Sequence, residues 1–358
     1  MGGIDLRGLI VGNEKGDALR SLTQGRPLSL LSLANRCLLE YQLSFLWAAG
    51  VREVMVVAAE DGWPRMAEVL EKWKGLAHRF LDPRGDNLSG ELTPHLNSTV
   101  VVLLGPLITN IDLGRALSFH RERGSRATLF LHALSQDRHR SLVLTDGWGR
   151  VIKVLPGAPV EGEMARTAGS LYILEPEAAE HLIPRLIKGR EEGVCLHLLK
   201  RDIPVYGFPV EGYWQQVEDL TAYYRVHQDI MWGRAQLRPA GVETSPGIWL
   251  GRGVEINAGV ELVPPVVLGA GVQLGEGTRV GGSVLGPGTI VDGETVVKNS
   301  LLLANCYLGR KVVVEGAIVG EDTIVAGGTI LRPGMLLAPQ SVVSRDSLLG
   351  GAFELPPL

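Results

Sequence analysis

Two glycines and two arginines follow the apolar segment Leu6–Val11, which is predicted to be a buried strand. Gly12 and Gly16 suit a tight turn after that strand, and Arg20 and Arg26 come shortly afterwards. A guanidinium group can bind a phosphate anion, and it can equally hold a loop by pairing with a carboxylate. The sequence leaves both alternatives open for Arg20 and Arg26.

Three carboxylates could serve as ligands for a divalent metal ion, namely Glu14, Asp17 and Asp112. Carboxylates in a loop are more often simply solvated, which is the simpler interpretation of Glu14 and Asp17. Asp112 precedes an apolar-periodic segment that Gly124 can end, so it suits the N-cap of a helix. The eight histidines are scattered, and the three cysteines have no metal-type spacing, so no zinc site is predicted.

Composition excludes several classes of function. The net charge of −4 and the lack of Lys/Arg-rich runs predict no nucleic-acid partner. No apolar run reaches the roughly 18 residues of a membrane helix, and the first residues do not resemble a signal peptide. With no disulfide framework, a cytoplasmic location without membrane association is expected.

The first two-thirds of the chain alternates predicted strands and helices. This alternation predicts an α/β domain with a mostly parallel, Rossmann-like sheet covered by helices. The predicted strands are Leu6–Val11, Glu53–Ala58, Thr99–Leu104, Ala127–Leu134, Ser141–Thr145, Val151–Leu155, Leu171–Leu174 and Val205–Pro209. The predicted helices are Leu38–Ala49, Trp63–Lys74, one after Asp112, one from Pro176 and Leu220–Trp232.

Beyond a linker rich in proline and glycine, aliphatic residues recur every six positions. A first run is Leu250, Ile256, Leu262, Leu268, Leu274 and Val280; after a slip in register the pattern resumes at Leu302, Leu308 and Val314, and then at Val319, Val325 and Leu331. Each hexad is one short side of a triangular β-solenoid, with the aliphatic residue inside and Gly or Asn at corners. Cys306 falls on an inward position, which predicts a packing role.

These patterns predict four segments: an α/β domain at 1–235, a linker at 236–247, a parallel β-helix at 248–345 and a tail at 346–358. Acyltransferases built on hexad repeats use a histidine base near the coils. No histidine follows His227, so acyl transfer is not expected here.

The chain resembles the sugar-nucleotide pyrophosphorylases, and most closely mannose-1-phosphate guanylyltransferases. These enzymes join a nucleoside triphosphate to a sugar 1-phosphate and release pyrophosphate, and the resemblance implies that the β-helix is left-handed. The matching stretches are Arg20–Thr23, Arg26-Pro27, Ala34–Arg36, Leu38–Gln42, Ala49–Val51, Ala168-Gly169 and Gly212–Trp214. The resemblance places a phosphate and nucleotide pocket at Gly12, Gly16, Arg20, Arg26, Gly90, Gly105, Gly169 and Trp214.

The catalytic positions that the resemblance implies carry other residues. In the loop motif Gly-Gly-x-Gly-Thr-Arg-Leu-Arg-Pro, Ala18 replaces the catalytic arginine, and Glu14 and Asp17 bring charge of the wrong sign for phosphate. Leu28 replaces the lysine of Arg-Pro-Lys-Pro, and Gly157 replaces the lysine that meets the sugar phosphate. These replacements remove cations that neutralise phosphate charge.

The family's two metal-binding aspartates are also replaced. Pro106 stands where an Asp follows the strand Thr99–Leu104, and Gln216 stands at the second Asp. Pro106 offers no side-chain ligand, and Gln216 offers one neutral oxygen. No metal site is therefore predicted, and Mg²⁺ is expected only if other carboxylates have taken over.

Intact architecture with altered chemistry predicts a pseudoenzyme of this family, acting as a regulatory, nucleotide-sugar-sensing or scaffold subunit. The expected partners are a second copy through the β-helix, or a catalytic relative, and a sugar nucleotide. Two alternatives stay open: an active nucleotidyltransferase with metal ligands relocated to Glu14, Asp17 or Asp112, and a structural module that binds no small molecule.

Overall fold

The computed structural model describes residues 6–12, 19–133, 142–155, 166–189, 194–344 and 351–352. The chain divides into two compact units that interleave in sequence. The first unit comprises residues 1–15, 27–30 and 39–216, and the second comprises 16–26, 31–38 and 217–358. Among the described helices, none has the length and apolar character that a transmembrane span requires.

The first unit is a mixed α/β structure. Its described strands are β1 (Leu6–Val11), β4 (Glu53–Val57), β5 (Ala77–Leu81), β6 (Thr99–Leu104), β7 (Leu107–Thr109), β8 (Ala127–Ala133), β9 (Leu142–Thr145), β10 (Val151–Leu155), β11 (Arg166–Leu174), β12 (Val205–Pro209) and β13 (Trp214–Gln216). Its helices are α2 (Leu38–Ala48), α3 (Trp63–Leu70), α4 (Leu88–Leu92), α5 (Leu113–Glu122), α6 (Pro176–Ile187) and α7 (Val194–Leu199).

Nine of these strands form one large, mostly parallel sheet. The main path runs β10-β9-β11-β6-β1-β4-β5, and β8 extends from β11 to β12. Strands β6, β1, β4 and β5 are parallel neighbours, as are β8 and β12, whereas β11 pairs antiparallel with its neighbours. Buried aliphatic residues of β1, β4 and β6 pack with α6 in one core, which explains their continuous apolar runs.

Most predicted elements of this unit are confirmed within one or two residues at their ends, including the hairpin of β9 and β10. The helix predicted over Trp63–Lys74 is wrong in length, because it ends at Leu70. After that residue, Lys72 N–H donates to Val69 O and Trp73 N–H to Leu70 O, and these three-residue bonds tighten the chain into turns before Gly75.

The second unit begins with short elements that pack with a helix. These are α1 (Arg20–Thr23), the hairpin of β2 (Ser32–Leu33) and β3 (Arg36–Cys37), and α8 (Leu220–Met231). Ala34 and Asn35 form the hairpin turn with positive φ. Helix α8 contacts β2 and the strands that follow it in this unit.

The rest of the second unit is a stack of short parallel strands on three faces. The hairpin of β14 (Val242–Ser245) and β15 (Ile248–Leu250) opens it. The later strands are β16 (Glu255–Ile256), β17 (Glu261–Leu268), β18 (Gln273–Leu274), β19 (Arg279–Leu285), β20 (Ile290–Val291), β21 (Val296–Lys298), β22 (Leu301–Leu302), β23 (Tyr307–Leu308), β24 (Val313–Glu315), β25 (Ile318–Val319), β26 (Ile324–Val325), β27 (Ile330–Leu331), β28 (Met335–Leu337), β29 (Val342–Val343) and β30 (Gly351–Ala352). This arrangement is consistent with a β-helix.

The slip in the six-residue pattern has a geometric cause. Val280 pairs with Val297, and Val297 with Val314, so the middle coils contain 17 residues rather than 18. In each of these coils, one step between inward aliphatic residues is five positions, as from Val280 to Leu285. Gly282, Asn299 and Gly316 occupy that shortened corner with positive φ.

The solenoid core confirms the inward positions from Leu268 onward. Leu268, Leu274, Val280, Leu302, Leu308, Val314, Val319, Val325, Leu331 and Cys306 are all buried in one cluster. Ile256 is the exception, because 45% of its surface is exposed. Its strand pairs with β18, and this register aligns Ile256 with the buried Leu274, so Ile256 holds the predicted inward position. It is exposed because it lies in the first coil, where no preceding coil pairs with its strand.

Candidate functional site

Three parallel strands of the first unit end at the same level and form the edge of a small cleft. Gly12 N–H donates to Val57 O at 2.9 Å, and Gly105 N–H donates to Val11 O at 2.9 Å. Gly12 and Gly105 therefore sit side by side at the carboxyl ends of β1 and β6. Such an edge is where ligands bind in open parallel sheets.

The cleft is small and apolar. It has a volume of about 20 Å³, which is room for about one water molecule. The described residues that line it are Gly12, Pro27, Leu28, Ser29, Ala58, Met66, Gly105 and Pro106. None of these has an ionisable side chain, so the described wall of the cleft provides no charge for a metal ion or a triphosphate.

A two-stranded ladder brings together Pro106 and Gln216, the two positions at which the resemblance implies metal-binding aspartates. Strand β13 pairs antiparallel with β7, and this register places Gln216 opposite Leu107, the residue after Pro106. The Nε2 group of Gln216 donates to the hydroxyl oxygen of Ser170. The backbone arrangement thus brings together the two positions at which the resemblance implies aspartates, while the side chains present are a proline and a hydrogen-bonded amide.

Trp214 packs closely over the backbone of Gly169. Its ring stacks against His132, with centroids 5.7 Å apart, and lies near Phe130. A Cβ atom at Gly169 would lie 2.8 Å from Cη2 of Trp214, and closer still to Cζ2. A glycine is required here because the indole occupies the space of any side chain.

Replacing Gly169 with alanine is therefore expected to displace Trp214 and to lower the free energy of unfolding by about 1–3 kcal/mol. Urea unfolding of Gly169→Ala against the parent chain measures the loss. Gly147→Ala is the matched control, because nothing lies within 4 Å of a Cβ atom at Gly147. Equal stability of the two variants would contradict the steric interpretation.

Arg26 has a structural partner within the second unit. Its Nη2 lies 2.6 Å from Oε2 of Glu321, and its Nε donates to Thr23 O at 3.0 Å. These contacts favour the loop-holding alternative for Arg26. Arg20 is an exposed residue at the start of α1, also in the second unit.

The other predicted site residues lie apart or outside the described chain. Gly90 is an exposed residue within α4 and does not line the cleft. Gly16, Ala18 and Gly157, together with Glu14 and Asp17, lie outside the described residues. Asp112 is the N-cap of α5, because its Oδ1 accepts from Arg115 N–H at 2.9 Å.

Gln42 of α2 contacts this site, and its matching position in a helix did not by itself predict that role. Its side chain is buried, and Nε2 donates to Gly105 O at 2.9 Å. This bond supports the positive-φ turn at Gly105 from α2. The Oε1 atom is buried with no hydrogen-bond partner among the described residues.

No group of three or more His, Cys, Asp or Glu side chains that could hold a metal ion occurs among the residues that the structure describes. Of the three candidate carboxylates, Asp112 lies within the described residues, and its Oδ1 caps helix α5. The described part of the site therefore combines neutral side chains with a strand edge of the kind at which ligands bind in parallel sheets.

A large mostly parallel sheet with a cleft at its strand ends, together with parallel coils, is consistent with a Rossmann-like domain and a β-helix. Residues 245–349 match the family model for the GMPPB C-terminal domain. A UTP–glucose-1-phosphate uridylyltransferase of Synechocystis is 23% identical over 69% of this chain and 69% of its own. Mannose-1-phosphate guanylyltransferases of Mycobacterium tuberculosis and Eremothecium gossypii are 28% and 27% identical, over 66% and 59% of this chain and 70% and 61% of theirs.

These matches cover both the α/β part and the coils. The chain is thus similar to sugar-nucleotide pyrophosphorylases, as the resemblance in its sequence predicts. It spans about 61–70% of the length of these relatives.

Proposed function

We propose that this protein is a non-catalytic member of its family, a regulatory subunit that binds a sugar nucleotide and associates through a left-handed β-helix. The observation that carries the proposal is the cleft at the ends of β1 and β6, whose described lining has no ionisable side chain. Nucleotidyl transfer needs charges that stabilise the pentacoordinate phosphorus of the transition state and the leaving pyrophosphate. A neutral wall does not provide them.

Retained backbone features support binding without catalysis. Gly12 and Gly105 carry no side chain, so a ligand can approach the backbone at this strand edge closely. Trp214 packs over Gly169. The buried Oε1 of Gln42 is an acceptor beside Gly105 that a ligand or a water molecule can satisfy. The relatives' names point to a nucleotide joined to a hexose, so GDP-mannose and UDP-glucose are the first probes.

The active-enzyme alternative needs relocated carboxylates. Asp112 is a poor candidate, because its Oδ1 already accepts the Arg115 N–H bond at the helix start. Glu14 and Asp17 are the remaining choices for that alternative, and they predict nucleotide binding that depends on Mg²⁺. Dependence on Mg²⁺ therefore separates the two functions.

Thermal unfolding with either nucleotide sugar tests the proposal. A ligand at about 100 times its dissociation constant should stabilise the chain by about 2.7 kcal/mol and raise Tm by several degrees. The increase should persist in EDTA, because no metal is needed. Leu28→Asp, which adds a repelling charge to the cleft, should abolish it, whereas Leu196→Asp at an exposed position of α7 should not.

Each unfavourable outcome has a distinct meaning. A shift that EDTA removes would favour the active nucleotidyltransferase with relocated ligands. No shift with any nucleotide sugar at millimolar concentration would reject sensing and favour a purely structural module.

A further inference from the structure

One face of the solenoid carries a continuous column of exposed apolar side chains. Strands β20, β23, β26 and β29 are parallel neighbours, and their register aligns Ile290, Tyr307, Ile324 and Val342. The exposed fractions of these residues are 39%, 38%, 45% and 72%. We refer to these four residues as the apolar column.

The other two faces differ from this one. On the face that contains β17, β19, β22 and β25, the outward residues Val267, Val284, Leu301 and Ile318 are buried. Elements of the same unit cover that face, since Gln228 and Tyr224 of α8 donate to Gly282 O and Asn299 O. The face with β21 and β24 has charged outward residues beside its valines, namely Lys298 and Glu315.

The surface beside the apolar column is flat. Two positions after Ile290, Tyr307 and Ile324 stand Asp292, Gly309 and Ala326, which are short or absent side chains. Asp292 is turned to the column, because the hydroxyl of Tyr307 donates to its Oδ2 at 2.6 Å. A flat sheet face of this kind can pack against another flat sheet face.

The size of the face limits its occupant. Six stacked strands at a spacing of about 4.8 Å span about 24 Å, and the apolar column fills only two-thirds of that length. A stable interface buries about 800 Å² on each partner, so the charged corner beside the column must be covered as well. The occupant therefore has to complement both the apolar column and this corner.

The charges at that corner are separated along the solenoid axis. Glu276 and Glu294 lie on the earlier coils, and Arg310 and Lys311 lie on the next coil, all of them exposed. Within one chain, Glu294 pairs with Arg310 and lies 3.4 Å from Lys311. Turning a second copy end over end, about an axis between the coils of Glu294 and Arg310, places its Arg310 and Lys311 against Glu294 of the first, and the reverse. The same axis sets Ile290 against Tyr307 of the copy, and it sets Ile324 and Val342 against the copy's Gln273 and Glu255.

We propose that the apolar column and this corner form an isologous interface with a second copy of the chain, with the two solenoids antiparallel. The proposal names the surface through which the self-association proposed above would occur, and it rests on that self-association. Parallel solenoids would instead place Glu294, Arg310 and Lys311 opposite Pro287 and Asn305. The nearby carboxylate there, Asp322, already accepts from Asn305 Nδ2 at 3.1 Å, so the gain from charge is smaller.

Sedimentation of the full chain at tens of micromolar tests the surface. The combined Ile290→Glu and Ile324→Glu variant should raise the dissociation constant by about 100-fold or more, since charge replaces the apolar contact of Ile290 at the centre and that of Ile324 beside it. Val263→Glu with Ile330→Glu is the matched control, because these residues are 49% and 55% exposed on a different face. Circular dichroism and Tm should show that both variants are folded.

Charge exchange tests the antiparallel orientation. Glu294→Lys alone and Arg310→Glu with Lys311→Glu alone should each weaken the homodimer through repulsion. Mixing the two proteins should restore a heterodimer, because both contacts across the two-fold axis then join opposite charges. Native mass spectrometry separates the three species when one protein carries a tag.

The outcomes separate the surface from the association itself. If the wild type is oligomeric and Ile290→Glu with Ile324→Glu leaves the oligomer as intact as the control variant does, this surface is overturned but self-association is not. A monomeric wild type would overturn both, and would assign the column to a different protein. A mixture without restored heterodimer would overturn the antiparallel arrangement.

Discussion

Incubated with Mg²⁺, a nucleoside triphosphate and a hexose 1-phosphate, the purified chain is expected to release pyrophosphate at least about 10⁴-fold more slowly than an active relative. Loss of one preorganised charge-stabilising group costs about 10²–10³ in rate. The resemblance implies that the family's two metal aspartates, one arginine and two lysines are all replaced here, at Pro106, Gln216, Ala18, Leu28 and Gly157. Such losses do not multiply, which is why the expected factor is well below their product.

The assay needs an active enzyme and a structural control. The guanylyltransferase of Mycobacterium tuberculosis, measured with the same substrates, sets the reference rate. Pro106→Asp combined with Gln216→Asp should create Mg²⁺-dependent thermal stabilisation, because β7 and β13 hold these positions together. The parent chain should show none. Turnover by the parent within about 100-fold of the reference would reject the non-catalytic assignment.

The sequence predicts the large elements of both units because their patterns are local. Buried strands such as Thr99–Leu104 are continuous apolar runs, and Asp112 and Pro176 mark helix starts by their own chemistry. The hexads predict the coils for the same reason, since each inward residue repeats within a few positions of the last. Patterns of this kind depend on residues that are close together in the chain, so a single sequence shows them.

The site could not be predicted at the same level. The ladder of β7 and β13 consists of two three-residue strands, and about a hundred positions separate Leu107 from Gln216. No periodicity marks strands so short. Only the resemblance connected Pro106 with Gln216, and the structure adds that Ser170 binds the amide of Gln216. The Arg26–Glu321 pair spans the chain in the same way and has no sequence signal.

The shortened coils show a different limit. A five-residue step from Val280 to Leu285 is visible in the sequence as a slip, but the sequence does not say whether the fold is broken there. The structure resolves it through the corner at Gly282, where Asn299 of the next coil repeats the positive φ. The backbone conformation of that corner decides the register, and aliphatic spacing alone does not report it.

Acidification below about pH 6.5 is expected to destabilise the second unit through His227. This residue of α8 is buried, and burial lowers the pKa of its imidazole from 6.5 to about 3. Its Nδ1 accepts from Ala34 N–H at 3.2 Å, and its Nε2 lies 3.2 Å from Ser32 O, to which the neutral ring donates. A second ring proton at Nδ1 would face the Ala34 N–H with no acceptor.

The sign follows from where the proton binds. The folded imidazole has the lowered pKa, so the unfolded chain takes up the proton first, and stability present above pH 6.5 is lost as pH falls towards 3. The slope approaches about 1.4 kcal/mol for each pH unit, which gives a loss of about 2–3 kcal/mol near pH 4.5. Carboxylates also titrate in the lower part of this range, so a variant has to isolate the histidine.

Urea unfolding of the parent chain and of His227→Gln, at neutral pH and near pH 4.5, measures that contribution. The variant is expected to be less stable at neutral pH, because it loses the ring contact with Tyr223, whose centroid lies 4.6 Å from that of His227. Its stability should change less on acidification than that of the parent, by the 2–3 kcal/mol that His227 contributes. His78→Gln, at an exposed position of β5, should keep the pH dependence of the parent. If His227→Gln and the parent lost the same free energy of unfolding, the bonds between α8 and the β2–β3 hairpin would not control the acid sensitivity of this fold.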